Sequence, residues 1–96
     1  MYTISLEDVF RMSNPIIVDI RNAYYYNMGH INGAINIPYY NLLSNYSRYL
    51  SRNNTYYLYC DSGDQSLEIA ERLSNFGYNT FSISGGYLEY LRLKQL

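Results

Sequence analysis

Residues Ile16-Ile17-Val18-Asp19-Ile20 form an almost unbroken run of β-branched side chains. A half-buried strand alternates apolar and polar positions, so a run without that alternation marks a strand covered on both faces. Such a strand needs one layer above it and another below. A chain that carries it is therefore committed to a layered fold. Ninety-six residues suffice for one such core and no second, so the chain is read as a single domain over residues 1–96. Hydrophobic residues make up 48%, enough to build that core and too many for a disordered chain.

The remaining segments supply the layers. Ser5 followed by Asp8 fits a helix N-cap, with Leu6, Val9 and Phe10 available for one face, and Asn14-Pro15 ends that helix. Ala23 to Met28 reads as a short helix stopped at Gly29, and Ala34 to Ile37 as a short strand closed by Pro38. Tyr40 to Leu50 is compatible with a helix, and Thr55 to Tyr59 is the next strand. Ser66 to Phe76 is the best-patterned helix. Ile69, Ala70, Leu73 and Phe76 share a face, Glu68, Glu71 and Arg72 lie off it, and Gly77 stands at the C′ position. Thr80 to Ile83 is a strand, Ser84-Gly85-Gly86 a turn, and Tyr87 to Leu93 a closing helix. This alternation predicts an α/β fold with a mostly parallel sheet covered on both faces. Ligands of such sheets bind beyond the carboxyl ends of the strands.

Charge narrows the function classes. The formal net charge is −1 with acids and bases scattered, and no basic stripe supports binding to nucleic acid or an anionic membrane. The longest apolar runs fall far short of the roughly 20 residues that span a bilayer. Met1 to Asp8 lacks the basic-then-apolar pattern of a signal peptide, and one cysteine cannot form an internal disulfide, so a cytoplasmic location is expected. The 14 tyrosines admit two readings, an aromatic binding surface or apolar area with a polar tip that fills core and half-buried positions.

Cys60 carries the chemistry. It follows the strand Thr55–Tyr59 and precedes the loop Asp61-Ser62-Gly63-Asp64-Gln65, after which Ser66 opens a helix. Gly63 lets the backbone turn so that successive N–H groups face one spot, and the helix start adds its own unpaired donors. A thiolate, a persulfide or a bound oxyanion is stabilised in such a ring. The competing reading is a buried cysteine that merely ends a strand as a small hydrophobe. His30 has two readings as well, a base for the thiol or a loop-bracing side chain, and no third orienting group is evident for a base. Asp19 and Arg21 read first as a buried polar pair and second as substrate contacts.

Three stretches resemble the rhodanese family. Asp19-Ile20-Arg21, an aromatic segment, Gly29-His30-Ile31-Asn32-Gly33-Ala34 and Asn36-Ile37-Pro38 are similar to its N-terminal signature, with Asn32 where the family usually has proline. Cys60 to Ser66 resembles its active-site loop, Cys-x-x-Gly-x-Arg-Ser, with Gln65 in place of arginine. Gly85-Gly86-Tyr87-Leu88-Glu89-Tyr90 resembles its Gly-Gly-x-x-x-Trp, with Tyr90 for tryptophan. The resemblance implies a three-layer α/β/α domain with a five-stranded parallel sheet. It also implies a sulfurtransferase in which Cys60 takes a sulfane sulfur as a persulfide and passes it to a nucleophilic acceptor. On that reading the backbone of Asp61, Ser62, Gly63, Asp64, Gln65 and Ser66 cradles the persulfide, and Asp19, Arg21, His30 and Gly86 support the surrounding loops. The partners are a small sulfane-sulfur donor and a thiol or protein acceptor, with no metal or organic cofactor, nucleic acid or membrane.

The loop carries Asp61 and Asp64 and no basic residue of its own. A carboxylate about 7 Å away disfavours a unit anion by about 1 kcal/mol at an intermediate dielectric, and the helix terminus returns a comparable amount. The expectation is a thiolate that survives and a preference for neutral or protein-borne donors over thiosulfate. Restoring the arginine at Gln65 is expected to improve thiosulfate use. A phosphatase of related fold is disfavoured, because the loop is one residue short and lacks an arginine for a bidentate phosphate grip. A catalytically silent rhodanese-like binding or regulatory module and a redox-sensing thiol remain as alternatives.

Overall fold

Ile17 and Val18 are adjacent in sequence and buried in opposite cores, which is why the run that holds them does not alternate. Val18 joins Leu42, Leu58, Ile69 and Leu73 on one side of the sheet. Ile17 joins Leu6, Val9, Tyr59 and Ile83 on the other. The structure, a computed structural model, describes residues 2–95.

Among the described residues five strands and five helices alternate: β1 (Thr3–Ile4), α1 (Leu6–Phe10), β2 (Ile16–Asp19), α2 (Ala23–Met28), β3 (Ile35–Asn36), α3 (Tyr39–Tyr49), β4 (Thr55–Tyr59), α4 (Asp64–Asn75), β5 (Asn79–Ile83) and α5 (Gly86–Lys94). The sheet order is β1-β5-β4-β2-β3 and every pairing is parallel. Helices α3 and α4 cover one face, while α1 and α5 cover the other. The result is a three-layer α/β/α arrangement with β4 at the centre of the sheet. Parallel neighbours end together, so Asp19 of β2 lies beside Tyr59 of β4, and both precede the loops at the carboxyl edge. Among the described residues no helix is long and apolar enough to cross a membrane.

Local signals hold in most elements. The Ser5 hydroxyl oxygen accepts the Asp8 N–H at 3.1 Å and caps α1. Asn22 caps α2 by accepting the Tyr24 N–H at 2.9 Å. Gly77 takes a left-handed φ of +94°, and the Gly77 and Tyr78 N–H groups return to the Ser74 and Leu73 carbonyls, closing α4.

One strand escaped the sequence reading and three expectations need correction. The strand β1 was not legible, because two residues give no periodicity; its pairing with Ser82 and Ile83 of β5 defines it. Helix α4 starts at Asp64 rather than Ser66, with Gly63 as its N-cap, so two residues assigned to the loop form the first helical turn. Phe76 does not share the core face. The helix ends at Asn75, and the Phe76 ring lies half exposed, stacked on Tyr46 at 5.1 Å. Gly86 belongs to α5 rather than to the turn before it. Helix α3 is broken by non-helical backbone at Asn45, which accounts for its weak pattern in the sequence.

Candidate active site

The backbone turns sharply where β4 gives way to α4. Gly63 adopts φ +108°, a conformation open to glycine, and a Cβ there would stand 3.2 Å from the Gly85 nitrogen. This turn wraps the chain around Cys60. The Gly63 N–H lies 3.2 Å from the Cys60 sulfur and the Ser66 N–H 3.3 Å from it. The N–H groups of Asp61, Ser62, Asp64 and Gln65 donate to no group among the described residues. Main-chain donors and the start of a 12-residue helix thus converge on this sulfur.

Helix α5 holds the loop from the other side. The Tyr87 N–H donates to the Cys60 carbonyl at 2.9 Å and the Leu88 N–H to the Asp61 carbonyl at 3.1 Å. In a planar trans peptide the C=O and N–H point in opposite directions, so drawing these carbonyls toward α5 turns the next two N–H groups away from it. Gly86 makes the approach possible. At φ +58°, a Cβ there would meet the Asp61 carbonyl oxygen at 2.7 Å.

Behind the sulfur lies a short chain of buried hydroxyls. Ser66 Oγ is 3.5 Å from Cys60 Sγ and 2.7 Å from Ser82 Oγ, and both hydroxyls reach the Gly63 carbonyl. In front of the sulfur is a cavity of about 250 Å³ walled by Ile20, Arg21, Tyr25, Tyr39, Tyr40 and Gln65. Cys60 is only 5% exposed and opens into this cavity. A larger cavity of about 650 Å³ beside the amino end of β2, against Phe10, Asn14 and Asn32, has neither a thiol nor a charged side chain in its wall.

A family model of the rhodanese-like domain matches residues 5–93. The chain belongs to the rhodanese-like domain family. It is 34% identical over 70 residues to the thiosulfate sulfurtransferase PspE of Escherichia coli K12, covering 72% of this chain and 67% of that protein. It is 29% identical over 100 residues to a tRNA uridine(34) hydroxylase of Buchnera aphidicola, covering 93% of this chain and 31% of the hydroxylase, so the chain spans about a third of that longer relative. The crystal structure of a rhodanese-related protein from Thermoplasma volcanium superposes with a TM-score of 0.87 at 26% identity, covering 96% of this chain and 92% of that one.

In this rhodanese-like domain, Asp19 and Arg21 form a buried ion pair. Arg21 Nε lies 3.1 Å from each Asp19 oxygen and Nη2 lies 2.7 Å from Oδ2. Nη2 also donates to the Gly29 carbonyl at 2.7 Å, and the guanidinium lies over the Tyr87 ring at 4.1 Å. Burial pulls the Arg21 guanidinium down, but the hydrogen bonds and charge of Asp19, with Tyr59 and Asp61 behind, outweigh it and raise the group above its ordinary value. The pair thereby joins β2, the loop before Ile31 and α5 around the site.

His30 is not brought to the thiol. Its Nδ1 donates to the Tyr26 carbonyl at 2.8 Å, its ring stacks on Tyr26 at 3.8 Å between centroids, and it has no place in the wall of the Cys60 cavity. The loop has no basic residue of its own, but the fold brings Arg21 to 3.8 Å from the Asp61 carboxylate.

Three contributors escaped the sequence reading. Ser82 reaches the thiol from β5 through Ser66. Tyr59 donates to Asp19 at 2.7 Å and accepts the Ile31 N–H at 2.9 Å. Tyr39, held by Glu68 at 2.5 Å, forms part of the cavity wall. Each depends on residues 16 to 40 positions apart or on a side chain's direction at a strand end, and neither carries a local signal.

Proposed function

We propose that this protein is a sulfurtransferase that carries sulfane sulfur as a persulfide on Cys60. The observation that carries the reading is the convergence of the Gly63 and Ser66 N–H groups on a sulfur facing a small cavity. Such an arrangement stabilises an anionic sulfur before and after it takes up a second one.

The Cys60 thiolate attacks the sulfane sulfur of a donor. The new S–S bond forms as the donor's bond to that sulfur breaks, and the donor departs with the electron pair, as sulfite when the donor is thiosulfate. The unpaired N–H groups of Asp61, Ser62, Asp64 and Gln65 are available to the outer sulfur of the persulfide. An acceptor thiolate or cyanide then attacks that outer sulfur, the S–S bond breaks, and the Cys60 thiolate is restored. The cycle needs no external oxidant or cofactor. The acceptor is a small thiol or a protein thiol. Resemblance to PspE, named a thiosulfate sulfurtransferase, supports the reaction class.

Intact mass after incubation with a sulfane donor and removal of the excess tests the proposal. The expected result is a gain of one sulfur atom, reversed by cyanide and absent in Cys60→Ser. No gain with thiosulfate or with any persulfide donor would instead favour a silent rhodanese-like binding module.

A further inference from the structure

Arg21 is the one cation in the wall of the Cys60 cavity among the described residues, and part of its guanidinium is uncommitted. Nε and Nη2 are taken by Asp19 and the Gly29 carbonyl. Nη1 makes no hydrogen bond there. It stands 3.8 Å from Asp61 Oδ1, whose side chain is 69% exposed. The guanidinium cannot follow a ligand outward, because Asp19, Gly29 and the Tyr87 ring fix it. Asp61 is fixed only at its backbone, through the Leu88 N–H on its carbonyl, so its carboxylate sits over the free edge of Arg21 immediately after Cys60.

Charge bookkeeping gives the consequence. Asp19 and Arg21 cancel, and Asp61 leaves the mouth of the cavity with one net negative charge. Without that carboxylate the fixed side-chain charges around the cavity would reduce to the Asp19–Arg21 pair, and the wall that also holds Cys60 would present a free guanidinium N–H edge, the donor geometry that oxyanions bind. We propose that Asp61 is a specificity residue that occupies the anion-receptive edge of Arg21 and turns the site away from sulfonate-bearing donors such as thiosulfate toward net-neutral persulfides. This rests on the sulfurtransferase reading for its substrates, but the electrostatic element can be measured on the thiol alone.

The experiment compares the full-length protein with Asp61→Asn and Asp61→Ala. Both change an exposed side chain outside the core. Cys60 is alkylated with iodoacetate and with iodoacetamide at equal pH and low salt, and the ratio of the two rates is taken. For a carboxylate on the order of 7 Å from the sulfur at an intermediate dielectric, its removal raises the anionic-to-neutral ratio about five- to tenfold, and added salt shrinks the gain. Initial rates of sulfur uptake from thiosulfate and from cysteamine persulfide are compared in the same proteins, and their ratio rises by a similar factor. An alkylation ratio changed by less than about twofold overturns the electrostatic role. A raised alkylation ratio with an unchanged donor ratio overturns the role in donor selection. No uptake from either donor in any of the proteins overturns the sulfurtransferase reading, and the alkylation ratio then decides the role of Asp61 by itself.

Discussion

The Tyr87 N–H donates to the Cys60 carbonyl oxygen at 2.9 Å, so the first turn of α5 fixes the peptide that carries the thiol. That bond requires the two backbones to lie closer than a side chain at Gly86 would allow.

Gly86→Ala tests this relationship. Its Cβ would press on the Cys60 and Asp61 carbonyls in a left-handed backbone, so either the loop or α5 must shift. Stability falls by about 1–3 kcal/mol in urea denaturation, and sulfur uptake by Cys60 falls by more than about tenfold because the N–H groups no longer converge. Wild-type uptake in this variant would show that α5 does not set the loop.

Removing the charge of Asp19 leaves Arg21 buried without its counter-ion. Asp19→Asn is expected to cost about 3–5 kcal/mol, as for other broken buried pairs. Chemical denaturation measures it, and a loss below about 1 kcal/mol would place the pair in the inexpensive class of exposed ion pairs.

Tyr59 sets an alkaline limit. Burial, and then its hydrogen bond to Asp19, hold the Tyr59 phenol protonated far above the ordinary tyrosine range. The unfolded chain releases that proton near pH 10. The contribution is therefore complete below about pH 10 and is lost as pH rises further, by up to about 1.4 kcal/mol per pH unit. Urea midpoints between pH 9 and 11 are expected to fall more steeply in the wild type than in Tyr59→Phe. Equal slopes would remove Tyr59 from this account. At neutral pH the variant is less stable by about 1–3 kcal/mol, because the buried Ile31 N–H loses its acceptor.

Ser66→Ala keeps the N–H that points at the sulfur and deletes the hydroxyl behind it. That hydroxyl accepts from the Cys60 thiol and donates to the Gly63 carbonyl, so losing one neutral hydrogen bond to the thiol, about 1 kcal/mol, predicts a roughly fivefold faster alkylation of Cys60 at pH 7. The Thr variant should return to the wild-type rate, since it restores a hydroxyl. A rate unaffected by Ala would reduce the Ser66–Ser82 pair to a packing role.

The sequence by itself determined the alternation of strands and helices. The unalternating Ile16–Ile20 run, the Ser5 cap and the Gly77 stop act through neighbours a few residues away, and such signals survive in a linear reading. It also put Cys60 at a strand end ahead of a glycine-bearing loop. The strand Thr3–Ile4 exists only through its pairing with β5, which no local pattern announces. Tertiary structure alone decided which groups surround the sulfur. It joined Ser82 to Ser66, brought Arg21 from the loop after β2 to Asp61, laid α5 on the loop carbonyls and kept His30 apart. Those contacts arise from parallel strands ending at one edge, and a chain read in order does not show which of its distant residues that edge will gather.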